Sequence, residues 1–159
     1  MRIVELSLKY EEQVKNLLVE LQEYIADIDD WKLNIMTKTY SEQYYSKIVE
    51  ECDENGKIFL AINNEKVVGL ICGYINRSEK YDDCYYLSPK SCTISELIVT
   101  KNIRSKGVGT MLINYAEKYF KNQGCEYVYV DVFEPNNSAL KFYEKNNYQT
   151  RMRTLGKKL

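Results

Sequence analysis

The residues best placed to do chemistry lie in one short stretch, Ile94 to Thr110, ISELIVTKNIRSKGVGT. The apolar run Glu96-Leu97-Ile98-Val99 leads through polar Thr100-Lys101-Asn102 into Arg104-Ser105-Lys106-Gly107-Val108-Gly109. An amphipathic stretch from Thr110 to Lys121 follows, so the order reads strand, turn, helix. Gly107 and Gly109 leave the backbone N–H groups at the helix mouth uncovered by side chains. A helix start already carries unpaired N–H donors and a partial positive charge. Bare backbone from Ser105 to Thr110 therefore favours a phosphate-bearing ligand. Arg104 and Lys106 add full charges beside it.

Proton chemistry is constrained by what is missing. The 159 residues include no histidine, which removes the commonest general base and every His-based triad or metal site. Carboxylates, tyrosines, cysteines, lysines and backbone remain. Five cysteines (Cys52, Cys72, Cys84, Cys92, Cys125) are an odd number without C-x-x-C spacing, which argues against a disulfide framework and a zinc site. No metal is expected. Cys72 and Cys125 sit in apolar surroundings and read as small core residues. Cys92 and Cys84 leave an acyl-cysteine route open. A net charge of −1 gives no general pull toward nucleic acid or anionic membrane. No apolar run is long enough to span a bilayer and no basic-then-apolar leader is present, so a soluble cytoplasmic protein is expected.

The elements that must position this stretch follow from periodicity. Arg2 to Leu6 fits a first strand. Leu8 to Asp27 carries Val14, Leu17, Leu18, Leu21, Tyr24 and Ile25 at helical spacing. Asp29 to Thr39 breaks that pattern but holds Trp31, Leu33, Ile35 and Met36, too apolar for an idle loop. Tyr44, Tyr45, Ile48, Val49 and Cys52 restore a helix that Asn55-Gly56 ends. Lys57 to Ile62 and Val67 to Ile75 read as strands joined by a hairpin turn at Asn63-Asn64-Glu65-Lys66. Arg77 to Lys90 reads as an exposed loop or hairpin tip. After the Thr110–Lys121 helix, Tyr127 to Phe133 is dense in β-formers. Glu134-Pro135-Asn136-Asn137 turns into a last helix, which Asn146-Asn147 stops. The tail from Tyr148 to Leu159 carries a weak strand or hairpin. No repeat or linker divides the chain, so residues 1–159 form one domain.

Three glycine-rich phosphate loops compete for Arg104 to Gly109. A Walker A loop needs G-x-x-x-x-G-K-[ST], which does not occur. The dinucleotide fingerprint G-x-G-x-x-G fails at Leu112 and would sit too late in the chain. The third pattern, [Q/R]-x-x-G-x-[G/A], is met by Arg104-x-x-Gly107-x-Gly109 directly after a strand and opening a helix. The segment resembles the acyl-CoA loop of the GNAT superfamily of N-acetyltransferases. A second stretch resembles that superfamily's downstream pattern N-x-x-A-x-x-[FL]-Y-x-x-x-G-[FY]. It runs from Asn136 through Ala139, Phe142 and Tyr143 to Asn147-Tyr148. Asn147 stands where glycine is usual, and asparagine is the next-best residue for a left-handed helix stop. The resemblance covers the element order of the whole chain and is sharp from Ile94 to Tyr148.

That resemblance implies an α/β (α+β) GNAT-like domain. Its mixed, mostly antiparallel, twisted sheet of about six to seven strands would be flanked by about four helices. It implies acetyl-CoA as co-substrate, with Leu97, Ile98 and Val99 pairing strand-like with the pantetheine arm. The pyrophosphate would rest on Arg104, Ser105, Lys106, Gly107, Val108, Gly109 and Thr110. Asn136 would contact the CoA arm while its neighbour caps the helix, although either asparagine could fill the cap. Tyr143 would be the general acid that protonates the departing thiolate. Glu96 alternates with Leu97 and Val99 and faces opposite to them. Several family members use a glutamate on this strand as base, with Asp131 and Glu134 as rivals here.

The acceptor would be a primary amine: a polyamine, an aminoglycoside or a peptide amine. Its site is expected from Tyr24–Met36, Tyr40–Tyr45 and the Tyr81–Tyr86 loop. Asp27, Asp29, Asp30, Asp82, Asp83 and nearby aromatics there suit a cation, or are simply solvated. A CoA-binding sensor or partner-binding module without turnover is the alternative. A nucleotide-binding oxidoreductase is disfavoured by Leu112. The tyrosines and the Trp31–Met36 stretch leave room for a homodimer.

Overall fold

The structure is a computed structural model that describes residues 1–77 and 87–159. In chain order the elements are β1 (Arg2–Glu5), α1 (Glu11–Ile28), α2 (Tyr40–Asp53), β2 (Gly56–Asn63) and β3 (Lys66–Ile75). β4 (Ser91–Val99), α3 (Val108–Asn122), β5 (Tyr127–Val130) and α4 (Asn137–Lys145) follow. Among the described residues the strands form one sheet in the order β1-β2-β3-β4-β5. Its first three pairings are antiparallel, and β4–β5 is parallel. Asn64 and Glu65 join β2 to β3 with φ of 48° and 61°. Two successive left-handed residues match the right-handed twist of a two-residue hairpin.

Among the described residues the mixed sheet and its four flanking helices agree with expectation, but five strands stand where six to seven were expected. The difference lies in the tail. Residues 149–159 form no strand. Arg151, Arg153, Lys157 and Lys158 interrupt its apolar residues, and Met152 and Leu155 stay exposed instead of packing on the sheet. The expected loop at Tyr81–Tyr86 lies outside the described residues. No helix among the described residues is long and apolar enough to cross a membrane.

Two cores sandwich the sheet. On one face Val14, Leu17 and Leu18 of α1 and Ile48 of α2 pack against Ile58, Leu60, Leu70 and Ile98. On the other, Leu112, Ile113, Ala116 and Phe120 of α3 pack against Phe59, Ala61, Ile71 and Ile94. Alternation along a strand assigns alternate residues to opposite faces. β4 breaks the rule: Ile94 belongs to the α3 face, whereas Ile98 belongs to the α1/α2 face.

A bulge explains the switch. Cys72 pairs with Glu96 and Gly73 with Ile94, so Ser95 is an extra residue in β4. One inserted residue inverts the parity of everything after it. A Cβ on Gly73 would lie 2.5 Å from the Thr93 carbonyl oxygen, which is why β3 carries glycine there. The bulge also coincides with the end of the β4–β5 ladder, whose last pair is Ile94↔Val130. β5 consequently stops at Val130 rather than running to Phe133, and the two strands part.

Beyond that point α4 closes against the mouth of α3. A Cβ at Gly109 would lie 3.1 Å from Phe142 Cε2. Gly109 is thus a packing glycine. Gly109→Ala is expected to destabilise the fold by about 1–3 kcal/mol through overpacking, read as a lower urea midpoint with an unchanged slope.

Candidate active site

The loop between β4 and α3 has the geometry of an anion cradle. Ser105 has φ 63° and Gly107 φ 80°, while Arg104 before them is extended. Left-handed residues in such a turn direct neighbouring N–H groups into one concavity. Gly107 is the N-cap of α3 and has no side chain to accept from the first-turn donors. A Cβ at Gly107 would meet nothing within 4 Å, so its φ, not crowding, calls for glycine. Val108 is buried and anchors the loop, whereas Ser105, Lys106 and Thr110 are exposed.

Arg104 does not project over this cradle as expected. Its Nε donates to the Val99 carbonyl (2.8 Å), its Nη2 reaches Glu20 Oε1 (3.4 Å), and its guanidinium lies 5.7 Å from the Tyr24 ring centroid. Glu20, on α1, also accepts from the Thr100 hydroxyl (3.0 Å) and the Lys101 N–H (2.7 Å). One carboxylate therefore ties three points of the loop to α1. Local pattern gave no sign of Glu20, because its partners lie at least 80 residues away. Lys106 makes no ion pair among the described residues, and neither does Lys101 at the start of the loop.

The edge that β5 vacates belongs to β4. The Thr100 N–H donates to the Val68 carbonyl at 3.0 Å. Bonding direction alternates along an antiparallel ladder, so Ile98 turns its backbone groups toward β3 as well. Leu97 and Val99 turn theirs to the open side. The Val99 carbonyl is already taken by Arg104, which leaves the Leu97 N–H and C=O and the Val99 N–H as free edge groups. The expected trio narrows to two residues, because Ile98 is committed to the sheet. A strand-like ligand laid on this edge would run directly toward the Ser105–Thr110 cradle.

Glu96 and Tyr143 flank the parting of the strands. The bulge turns Glu96 to the α2 side, where its Oε1 accepts a hydrogen bond from the Tyr44 hydroxyl. Tyr143, on α4, is 8% exposed and packs among the α3-face residues. Its ring makes edge contacts with Phe142 and Tyr148. Its hydroxyl has no hydrogen-bond partner among the described residues. Burial, and then the Glu96 charge, raise the Tyr143 pKa, so the phenol keeps its proton at neutral pH. Burial also raises Glu96, while the Tyr44 hydrogen bond acts in the opposite sense. A carboxylate raised this way is a better proton acceptor.

The rivals are placed differently. Asp131 is exposed just past β5, and Glu134 is exposed and lies 3.5 Å from Arg153. Burial pushes the Cys92 thiol up to about 12, which removes it as a nucleophile. Cys84 lies outside the described residues.

Asn136 is itself the N-cap of α4: its Oδ1 accepts from the Ala139 N–H at 3.1 Å. The cap thus falls to Asn136, not to Asn137. The same oxygen accepts from the Tyr24 hydroxyl (3.3 Å), joining α1 to α4 across the mouth of the cleft. Asn147 has φ 67°, the left-handed stop expected in place of glycine.

On the acceptor side, Asp29 is buried and accepts from the N–H groups of Trp31, Leu33 and Asn34 and from Asn34 Nδ2. These bonds, led by those from Asn34, hold its carboxyl below the usual range. Asp29 therefore shapes the loop after α1 and is not open to a cation. That loop presents Trp31, Leu33 and Ile35 to solvent.

The raised Glu96 pKa has a stability consequence. The folded protein binds this proton more tightly than the unfolded chain, so stability falls as pH rises from the unfolded value to the folded one. Glu96→Gln is expected to raise the melting temperature by a few degrees at pH 8. The gain should shrink below pH 5, as scanning calorimetry at both pH values will show.

The profile of the Acetyltransferase (GNAT) family matches residues 25–148. Uncharacterized N-acetyltransferase MJ1207 of Methanocaldococcus jannaschii is 31% identical over 110 residues, covering 67% of this chain and 45% of its own. Acetyltransferase PseH of Campylobacter jejuni is 32% identical over 97 residues, covering 60% of this chain and 53% of its own. The chain thus spans about half the length of these two relatives. Among solved structures, a point mutant of the BH1408 protein from Bacillus halodurans superposes with a TM-score of 0.82 at 19% identity, over 100% of this chain and 99% of that one. The aminoglycoside N-acetyltransferase AAC(6')-Iy, in complex with CoA, superposes with a TM-score of 0.71 at 14% identity, over 99% and 93%. At such identities the structural likeness is one of fold. The family profile spans the β4–α3 loop and the α4 stretch alike, and the chain belongs to the Acetyltransferase (GNAT) family.

Proposed function

We propose that the protein is an acetyl-CoA-dependent N-acetyltransferase that acts on a primary amine in a ternary complex. The observation that carries this reading is the free edge of β4 running straight into the Ser105–Thr110 cradle, with Glu96 and Tyr143 at the point where β4 and β5 part. Leu97 and Val99 pair with the pantetheine arm through their free backbone groups. The N–H groups from Ser105 to Thr110 take the pyrophosphate, with Lys106 adding charge. Asn136 holds the start of α4 against this arm.

Glu96 takes a proton from the incoming ammonium, directly or through a water. The freed nitrogen lone pair forms the new N–C bond to the acetyl carbonyl carbon. As the tetrahedral adduct collapses the C–S bond breaks, Tyr143 gives its proton to the departing thiolate, and the second proton that the attacking nitrogen sheds restores the phenol. Holding amine and thioester together supplies much of the rate by itself. The acceptor meets the walls built by α1, the Asp29-shaped loop and the first turn of α2. Aromatic rings there (Tyr24, Tyr40, Tyr44) beside the Glu96 carboxylate suit a cationic amine. Small-molecule amines, including aminoglycosides and polyamines, and peptide amines all carry the required group. The aminoglycoside acetyltransferases among the structural neighbours support the first class.

Titration calorimetry with acetyl-CoA, followed by thiol release over a panel of amines, tests the reading. Acetyl-CoA is expected to bind, and at least one amine should release CoA stoichiometrically. Tyr143→Phe is expected to keep acetyl-CoA affinity and lose about 10²-fold in kcat. A Tyr143→Phe variant as active as the parent would remove Tyr143 from the acid role.

A further inference from the structure

We propose that Tyr44 is the positioning residue of Glu96: its phenol, fixed on α2, donates to one carboxylate oxygen and turns the other toward the gap between β4 and β5. This rests on the reading of Glu96 as the proton acceptor. Three contacts fix Tyr44. Its ring stacks on Tyr40, one helical turn earlier, with centroids 5.1 Å apart and planes 15° apart. The Lys47 ammonium lies 5.1 Å from its centroid on the following turn. Its hydroxyl ends on Glu96 Oε1. Spacings of three and four residues place all these groups on one helix face. A ring held by both neighbours loses little further freedom when its hydroxyl binds, so the hydrogen bond is preorganised.

The carboxylate is left with one commitment and one vacancy. Oε2 of Glu96 has no hydrogen-bond partner among the described residues, whereas Oε1 is taken. An ammonium arriving through the gap would meet Oε2. Lys47 and Glu51 from α2 act on Glu96 through their charges, and the Glu96 charge in turn acts on Tyr40 and Tyr44 from α2, Cys72 from β3 and Tyr143 from α4. Lys47 and Glu51 pair with each other at 3.4 Å, and their effects on Glu96 oppose. Burial raises the Tyr40, Tyr44 and Tyr143 phenols and keeps them protonated through the neutral range. Of these phenols, Tyr44 alone donates to the carboxylate among the described residues. It thus orients the base and tempers the rise that burial causes.

The test is a carboxyl 13C NMR titration of the whole protein labelled at glutamate, compared with Tyr44→Phe. The Glu96 signal is identified by its loss in Glu96→Gln. Tyr44→Phe keeps the ring and its stack on Tyr40 and removes only the donor. The Glu96 midpoint is expected to move to higher pH by about half a unit or more. Tyr40→Phe, which removes a hydroxyl not bonded to Glu96, is the control for general disturbance of the helix face and should leave the midpoint in place. A midpoint unmoved in Tyr44→Phe, or moved equally in Tyr40→Phe, overturns the positioning role. The pH profile of kcat/KM for acetyl transfer then separates this inference from the reading beneath it. If Glu96 is the base, the acid limb moves with the NMR midpoint in Tyr44→Phe. A moved midpoint with an unmoved acid limb overturns Glu96 as the base and leaves the Tyr44–Glu96 contact standing.

Discussion

One extra residue in β4 governs most of what is particular to this molecule. Were Ser95 an ordinary ladder residue instead of a bulge, strict alternation would send Glu96 to the α3 face with Ile94 and bury a carboxylate among Leu112, Ile113 and Phe120. With it, Glu96 emerges on the α2 side, where a phenol awaits. The same insertion shifts Leu97 and Val99 so that their backbone groups face the side β5 has left. The side to which Glu96 turns, the open edge of β4 and the gap are thus consequences of a single register change, and the close contact at Gly73 fixes where that change occurs.

The gap in turn allows residues on opposite faces of the sheet to act together. Tyr143 belongs to the α3-side core and Glu96 to the α2 side. A continuous sheet would separate them. Because the β4–β5 ladder ends at Ile94↔Val130, the charge on Glu96 reaches the Tyr143 phenol and helps to hold its proton. Burial pushes both groups the same way, so Glu96 becomes a stronger proton acceptor and Tyr143 a more reluctant donor. A reluctant phenol is matched to a thiolate leaving group only when the proton is needed late, as sulfur acquires charge.

Around this centre, charge is spent on architecture more than on display. Arg104 and Glu20 clasp the turn that carries the anion cradle, and Asp29 organises the loop after α1. Arg104 and Asp29 were both candidates for ligand contact by residue type, and both make their hydrogen bonds to groups within the protein. Beside the cleft Trp31, Leu33 and Ile35 are exposed together with Asp27 and Asp30, whereas Asp29 is buried. Under the proposed acetyl transfer, acceptor preference would depend on the body of the amine as well as on its charge.

Local sequence determined the parts whose physics is local. Helical spacing located α1, α2 and α3, start and stop residues located α4, and Asn63 to Lys66 marked the hairpin. Asn147 marked a left-handed stop, and the spacing of Arg104, Gly107 and Gly109 marked a loop before a helix. Only the tertiary structure decided the rest. Which side of β4 carries Glu96 depends on a bulge that appears when β3 pairs with it. Whether Arg104 faces ligand or Glu20 depends on where α1 packs. The tail's failure to form strands depends on a sheet that offers its basic, sparsely apolar sequence no face to cover. Tyr44 reads from its spacing as one more buried helix residue; 52 residues of separation from Glu96 hide its role until the chain folds. Hydrogen bonds and burial between distant segments carry no periodicity along the chain, and that is why pattern alone could not reveal them.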